Sequence, residues 1–367
     1  MQPIKHGNWT FDYVPNKCVY SMTPDTVENC HFVLDESLYT TNTKLSSFRK
    51  AGLIHKLVRN NARLLLQAGQ TFENTVKGIE EYIMKMCQVK TELNRSVNIA
   101  FPIGLSVNEI AAHDTAMIDD KRVLYNGDVV KCDIGIQIDG YIVDSAFTHI
   151  VGETLDTINS NPKYPLLEAT ADATYTGLCM SGVDARLYEI SQEIKEVIES
   201  YELLDSEIKA VNGLGGHDIK YYEVHGDKLI LSVPHKSQKD LKMEEGEVYA
   251  IETYASSGSG MLIQKQFEKC NHFGINKGPP KTKKPSKNVV VDWAHKNRHD
   301  LPFTQRWCND DKITNIQKHI LKGVNEGTIT AFPPLFDPKE GSLTSQLEHT
   351  LHIKDTGIEI FSLGTDF

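Results

Sequence analysis

Val129-Val130-Lys131-Cys132-Asp133-Ile134-Gly135-Ile136-Gln137-Ile138-Asp139-Gly140-Tyr141-Ile142-Val143-Asp144-Ser145-Ala146-Phe147-Thr148-His149-Ile150 is the stretch that decides the fold. β-Branched residues in partial alternation predict two strands, over residues 129–138 and 141–150. The Asp139-Gly140 pair between them predicts a two-residue type I′ hairpin, because both turn positions need a positive φ. That turn pairs Ile138 with Tyr141 and therefore sets Gly135 opposite Asp144. Side chains alternate along a strand, so Asp133, Gly135 and Asp144 share one face, with the two aspartates diagonal neighbours roughly 7–8 Å apart at Cα. The opposite face carries Ile134, Ile136, Ile138, Tyr141, Val143 and Phe147, a core pattern. Two carboxylates on one sheet face repel unless a positive charge sits between them, and a pair of divalent cations about 3.5–4 Å apart would supply it. The plainer alternative is that one aspartate caps a turn and the other is solvated.

The chain of 367 residues has room for one large domain or two ordinary ones with a substantial core. With 40% apolar and 24% charged residues it has the composition of a soluble globular protein, and its net charge of −10 argues against general nucleic-acid affinity; no specific nucleic-acid partner is expected. Seven cysteines, an odd number with no Cys-x-x-Cys spacing, fit a reduced intracellular protein with free thiols. No apolar h-region opens the sequence and no apolar run approaches 18 residues, so neither a signal peptide nor a membrane span is expected, and the cytoplasm is the expected compartment.

Residues 1–44 show no sustained period and read as an irregular N-terminal wrap. Leu45 to Ala68 predicts an amphipathic helix facing inward through Phe48, Leu53, Leu57, Ala62 and Leu65, stopped by Gly69. Thr71 is placed to cap a second helix running through Ile79, Ile83 and Met86. Residues 98–108 read as strand then loop, leading into Ala111-Ala112-His113. Helices are expected again over 165–181 and 187–200, followed by Gly213-Leu214-Gly215-Gly216-His217, His225, and a strand over 243–254 with Val248, Ala250, Glu252 and Tyr254 on one face. The repeated order of two helices and then strands suggests two similar halves. Residues 263–330 differ in character, with the basic, Pro-rich stretch Lys277–Lys287 and a helical period at 313–324; the tail reads as β, turning at Asp355-Thr356-Gly357.

Candidate hard-metal ligands on these strands and glycine-supported loops are Asp133, Asp144, His217, Glu252 and Glu348. A strand glutamate standing alone is ordinarily solvated or ion-paired, and loop histidines such as His113 and His225 are ordinarily structural, so the set carries the signal and no member does alone. Four carboxylates with one imidazole suit Mn, Fe, Co or Zn in a reactive site better than structural zinc, which prefers thiolates.

At this point the sequence resembles a known family, the type 2 methionine aminopeptidases of the pita-bread (creatinase/aminopeptidase) fold. The resemblance rests on Ala100-Phe101-Pro102-Ile103-Gly104 through His113, Lys131-Cys132-Asp133-Ile134-Gly135 through Thr148, Gly216-His217, Val224-His225-Gly226, Glu244 through Glu252-Thr253, and Pro333-Pro334-Leu335 through Gln346-Leu347-Glu348-His349-Thr350. It implies an α+β fold of two pseudo-symmetric halves with a helical type 2 insert: a wrap at 1–44, a catalytic domain over 45–262 and 331–367, and the insert at 263–330. It also implies a hydrolase that removes the initiator methionine of nascent polypeptides when the second residue is small, using two divalent metal ions (Co, Mn, Fe or Zn). By that resemblance Asp133 chelates one ion, Asp144 and Glu348 bridge both, and His217 and Glu252 complete the second. The bridging water would be hydroxide near neutrality, with Glu252 taking its proton. His113 and His225 would bind the scissile amide and the oxyanion, and Phe101, Val224, Tyr254, His272 and Phe332 would line the methionine pocket. The implied protein is a monomer off the membrane.

The 95 residues between Glu252 and Glu348 far exceed a hairpin loop, and Cys270-Asn271-His272-Phe273 and Gln305-Arg306-Trp307 agree with the type 2 insert. Two features depart from the pattern. The chain begins almost at the catalytic domain, where animal and yeast members carry a long polybasic extension, and the Lys277–Lys287 stretch is unusually rich in Lys and Pro. Ribosome contact is one reading of that stretch, a solvated loop the simpler one. Two rivals remain: a non-enzymatic pita-bread protein, which would have lost two or more of the five ligands, and a Pro-directed peptidase, which would carry a longer N-terminal domain and no such insert.

Overall fold

The computed structural model describes residues 4–6, 9–11, 43–88, 97–204, 206–278, 280–281, 287–299 and 301–364. The expected N-terminal wrap lies outside them except for two paired strands, Ile4–His6 and Trp9–Phe11, and the start of the first helix; so do residues 279 and 282–286 of the Lys- and Pro-rich stretch.

The first half opens with helices α1 (Thr43–Leu65) and α2 (Phe72–Gln88). Thr71 caps α2 by accepting from the Asn74 N–H at 3.2 Å. Helix α1 ends at Leu65, three residues before the sequence boundary, as the chain turns toward Gly69 at φ 88°. Its buried ridge is Phe48, Ala51, His55, Val58, Arg59 and Ala62, continued by Leu66 just past its end, while Leu53 and Leu65 are only half-buried. Two polar residues therefore complete a ridge expected to be apolar. The reason is local: His55 Nε2 lies 2.7 Å from the Ile134 carbonyl, and Arg59 reaches His55 Nδ1 and Ser145 Oγ.

Three short strands follow where one strand and a loop were expected: β1 (Val97–Ile99), β2 (Gly104–Val107) and β3 (Ile110–Ala112). The hairpin is β4 (Val129–Ile138) and β5 (Tyr141–Ile150), with β1 and β2 both pairing the outer edge of β4. Asp139 and Gly140 stand at φ 52° and 83°, the paired positive values of a type I′ turn, and the register is Ile138 to Tyr141 and Gly135 to Asp144 as expected. Helix α1 packs on the apolar face of the hairpin, leaving the aspartate face toward the centre of the molecule.

The second half repeats the plan. Helices α3 (Tyr164–Met180) and α4 (Leu187–Glu199) precede β6 (Gly215–Asp218), β7 (Leu229–Leu231) and β8 (Val248–Ser256). Strand β8 starts at Val248, five residues later than expected, because the chain turns through Gly246 at φ 85°. Next come β9 (Phe273–Ile275), helices α5 (Val289–Arg298), α6 (Gln305–Asp310) and α7 (Ile316–Glu326), and β10 (Ile329–Ala331). Left-handed residues at Asn315 and Gly327 bracket α7 and shift it from the expected 313–324. Strands β11 (Thr344–Lys354) and β12 (Gly357–Ile360) close the chain, and the sheet runs β7-β6-β8-β11-β12. Strands β8 and β11 are antiparallel neighbours, so residues 257–343 form an enlarged hairpin connection. Within it Cys270, Phe273, Val290, Phe303, Cys308 and Ile320 belong to an apolar cluster of their own, separate from the main core. Cys132, Cys179, Cys270 and Cys308 are free thiols. Among the described residues no helix is long and apolar enough to cross a membrane.

Candidate metal centre

Two hairpins bring the acidic residues together. Strands β4 and β5 carry Asp133 and Asp144 on one face, and β8 and β11 carry Glu252 and Glu348, which are direct cross-strand partners. Strand β6 sets His217 beside Ala250, two residues before Glu252. Gly216 makes that approach possible, since a Cβ there would stand 2.2 Å from the Ala250 carbonyl. The two halves meet where β5 faces β11, and hydroxyls rather than a backbone ladder join them. Thr350 Oγ1 accepts from the Asp144 N–H at 2.8 Å and donates to the Asp144 carbonyl at 2.5 Å. Ser145 Oγ donates to the Glu348 carbonyl at 2.6 Å, and Thr148 Oγ1 to that of Gln346 at 2.8 Å. This seam fixes Asp144 against Glu348.

Ligand atoms of Asp144, His217 and Glu348 lie within 4.8 Å of one another, and so do those of Asp133, Glu252 and Glu348. Glu348 is common to both groups. Burial, then mutual repulsion, pushes the Asp144, Glu252 and Glu348 pKa values up, and burial raises that of Asp133. Asp133 Oδ1, Asp144 Oδ1 and both Glu348 oxygens are buried without a hydrogen-bond partner. Buried carboxylate oxygens are ordinarily paired, so this concentration of unsatisfied acceptors fits cations as the missing partners. Burial lowers the His217 pKa to about 4, which keeps the imidazole neutral as a metal ligand must be.

The other expected histidines surround this centre. His225 stands against His217 with ring centroids 3.8 Å apart and is itself exposed. Its loop is anchored by the Gly226 N–H donating to the Asp218 carbonyl at 2.8 Å, and Asp218 Oδ1 accepts from the Lys228 N–H at 2.7 Å. Surrounding protein and the neighbouring imidazoles push the His225 pKa down. His113 sits at φ 67°, a conformation a non-glycine residue adopts at a cost, and donates to the Pro333 carbonyl. Burial lowers the His113 pKa to about 4 and that of His272 to about 3.

Of the expected pocket residues, Phe101, His272 and Phe332 form one aromatic group with His113. Ring centroids are 6.4 Å apart for Phe101–His272, 5.4 Å for His272–Phe332 and 5.7 Å from His113 to each of His272 and Phe332. The Phe101 ring fills the space over Gly135, where a Cβ would lie 2.1 Å from it. The glycine between the aspartates thus makes room for the Phe101 ring, one of the expected pocket side chains. Val224 is buried in the main core with its carbonyl toward His217, and Tyr254 packs with Ala111, Ala112 and Val211.

Sequence reasoning missed two supporting contacts. The Tyr254 hydroxyl donates to Glu252 Oε1 at 2.6 Å. The Gln346 amide donates to the same oxygen at 2.6 Å and to Asp133 Oδ2 at 3.2 Å, bridging carboxylates of the two halves. Period-two alternation places Tyr254 on the face of Glu252 and Gln346 on that of Glu348, but only the meeting of the strands brings Gln346 to Glu252 and Asp133.

A model of metallopeptidase family M24 matches residues 46–276. A methionine aminopeptidase 2 of Malassezia globosa is 37% identical over 328 residues, covering 87% of this chain and 69% of that one. Among solved structures, one titled as a thermophilic Arx1 superposes with a TM-score of 0.74 at 18% identity, over 88% of this chain and 91% of that one. A methionine aminopeptidase of Thermotoga maritima superposes with a TM-score of 0.59 at 20% identity, over 88% and 98%. At such identities the two structures speak to the fold, while the family model and the Malassezia relative speak to descent. The chain belongs to metallopeptidase family M24 and, within it, to the type 2 methionine aminopeptidases, metal-dependent hydrolases that remove N-terminal methionine.

Proposed function

We propose that Asp133, Asp144, His217, Glu252 and Glu348 hold two divalent cations of the Mn, Fe, Co or Zn class, and that the site trims methionine from nascent chains whose second residue is small. The observation that carries this reading is the pair of ligand groups sharing Glu348, with four buried carboxylate oxygens lacking partners. When bound, such ions supply Lewis-acid polarisation and a lowered water pKa. Glu252, oriented by Tyr254 and Gln346, accepts the proton of the attacking water. His225, neutral through its lowered pKa, offers an N–H donor to the developing oxyanion, and neutral His113, its one N–H held by the Pro333 carbonyl, offers its other nitrogen as acceptor to the N–H of the scissile amide. Phe101, His272 and Phe332 form the apolar walls around the thioether, with Val224 and Tyr254 behind them. We divide the chain into a wrap at 1–44, a catalytic domain over 45–262 and 331–367, and an insert at 263–330 supported by its separate apolar cluster. The expected working form is a cytoplasmic monomer acting as chains emerge.

The test is turnover of peptides by metal-loaded protein. Met-Ala and Met-Gly peptides should be cleaved well and Met-Lys and Met-Leu peptides poorly, because the site must close around both the thioether and the amine. Comparable rates on Met-Ala and Met-Lys, or a preference for leucine over methionine at the first position, would sink this reading.

A further inference from the structure

The last residue of α5, Arg298, is buried, and its guanidinium reaches out of the insert to a segment almost two hundred residues earlier in the chain. Its Nη2 donates to the carbonyls of Ile99 at 2.8 Å, Ala100 at 3.1 Å and Pro302 at 3.2 Å, and its Nε to Pro302 at 3.3 Å. The guanidinium lies over the Trp307 ring, 4.6 Å from its centroid. Its partners among the described residues are thus carbonyl oxygens and an indole face, not a carboxylate. A cation buried in this way is costly unless its donors are used, and the planar fork of arginine can serve two segments at once where a lysine cannot. The C-terminal end of a helix, with its unsatisfied carbonyls, is a favourable place for that charge.

The two remote carbonyls belong to the residues just before Phe101. The Ala100 N–H donates to the Gly135 carbonyl at 2.8 Å, so β4 holds one side of this residue and the insert holds the other. Pro102 follows and restricts the Phe101 backbone to extended conformations. With both ends fixed, the Ala100–Phe101 peptide plane sets where the ring points, and it points over Gly135 and beside His272. Docking of the insert as a whole has separate anchors. Arg306 makes a two-pronged contact with Glu80 at 2.7 and 3.0 Å, Trp307 donates to Glu80 at 3.1 Å, and Asn271 donates to the Ala116 carbonyl at 2.5 Å.

We propose that Arg298 is a positioning residue for methionine selectivity, acting across the insert boundary by holding the 99–101 segment so that Phe101 forms a rigid wall of the pocket. The inference rests on the reading of Phe101 as a pocket wall. Because Glu80, Asn271 and Arg306 hold the insert independently, replacing Arg298 loosens that wall without undocking the insert or disturbing the metal ligands.

The experiment compares metal-loaded parent, Arg298→Met, Arg298→Lys, Phe101→Ala and the Arg298→Met/Phe101→Ala double variant. Metal content, melting temperature, kcat and KM are measured on Met-Ala and Leu-Ala peptides. Arg298→Met should keep its metal and a kcat within about twofold of the parent, while KM for Met-Ala rises and the Met-over-Leu preference falls by about tenfold, the scale of a small change in pocket shape. Arg298→Lys, which keeps the charge but not the fork, should fall between them, and it carries the test alone if the Met variant fails to fold. In the Phe101→Ala background the Arg298 change should add less than about twofold, since both act on one wall. Phe101→Ala altering selectivity while both Arg298 variants leave it unchanged overturns the proposal and spares the pocket. Selectivity unmoved by Phe101→Ala removes the pocket reading and the proposal with it. An equal loss of metal, kcat and melting temperature with selectivity intact makes Arg298 a scaffold residue and also overturns it.

Discussion

Replacing Gln346 by leucine tests how the two halves of the molecule cooperate at the metal centre. The Gln346 amide nitrogen lies 2.6 Å from Glu252 Oε1 and 3.2 Å from Asp133 Oδ2, so one nitrogen serves a carboxylate from each half. The contact to Asp133 is at the outer limit for a hydrogen bond, and only the shorter one should count at full strength. A hydrogen bond to a charged group contributes about 1.5–3 kcal/mol, and leucine keeps the volume while removing the donor. After the change Glu252 Oε1 retains only the Tyr254 hydroxyl at 2.6 Å. The ion held by Asp133, Glu252 and Glu348 should then bind about 10–100-fold more weakly, the usual consequence of losing a group that orients metal ligands. Among the described residues the Gln346 amide donates to none of Asp144, His217 and Glu348, so that group should bind its ion nearly as before. Titration against a competing chromophoric chelator resolves the two affinities, and kcat measured at saturating metal shows whether the chemistry survives. Unchanged affinity at both positions, or equal weakening at both, would refute the argument that this amide aligns Asp133 and Glu252.

Other expectations are equally direct. Glu348→Ala should lower metal occupancy at both positions, because Glu348 belongs to both ligand groups; one ion retained at full affinity, by elemental analysis, would end its shared role. His225→Ala should fold, keep its metal and change KM little, while kcat falls by about 10²–10³, the effect of removing a preorganised oxyanion donor. Metal lost in proportion to activity would instead make His225 a ligand. Gly135→Ala would put a Cβ 2.1 Å from the Phe101 ring, so melting temperature should drop by an amount reflecting about 1–3 kcal/mol of overpacking and KM for Met-Ala should rise. An unchanged melting temperature and KM would mean that the ring does not rest there.

The hairpin at Asp139-Gly140 was legible residue by residue, because a two-residue turn with two positive φ values leaves one register and alternation then assigns every side chain to a face. The same period-two logic put Glu252 and Tyr254 on one face of β8. Where the sequence reading slipped, the cause was a contact from far along the chain. The inward ridge of α1 includes His55 and Arg59 because the Ile134 carbonyl and Ser145 hydroxyl receive them, and no helical periodicity within 43–65 can reveal a partner on β4 or β5. Gly135 was readable as sharing the face of the two aspartates, but that the space above it belongs to Phe101 depends on how the 99–101 segment is held.

What the sequence by itself determined is local: which residues sit on strands and which share a face; the family resemblance added five residues as a proposed ligand set. What only the tertiary structure decided is how those faces meet. Glu252 and Glu348 are separated by 95 intervening residues that include a whole apolar cluster, yet they are direct partners across β8 and β11. Asp144 stands against Glu348 because Ser145, Thr148 and Thr350 hydroxyls stitch β5 to β11, and Gln346 couples Asp133 to Glu252 for the same reason. Hydrogen bonds of this kind depend on distances of a few tenths of an ångström between strands from different halves, and side-chain alternation along either strand carries no information about them.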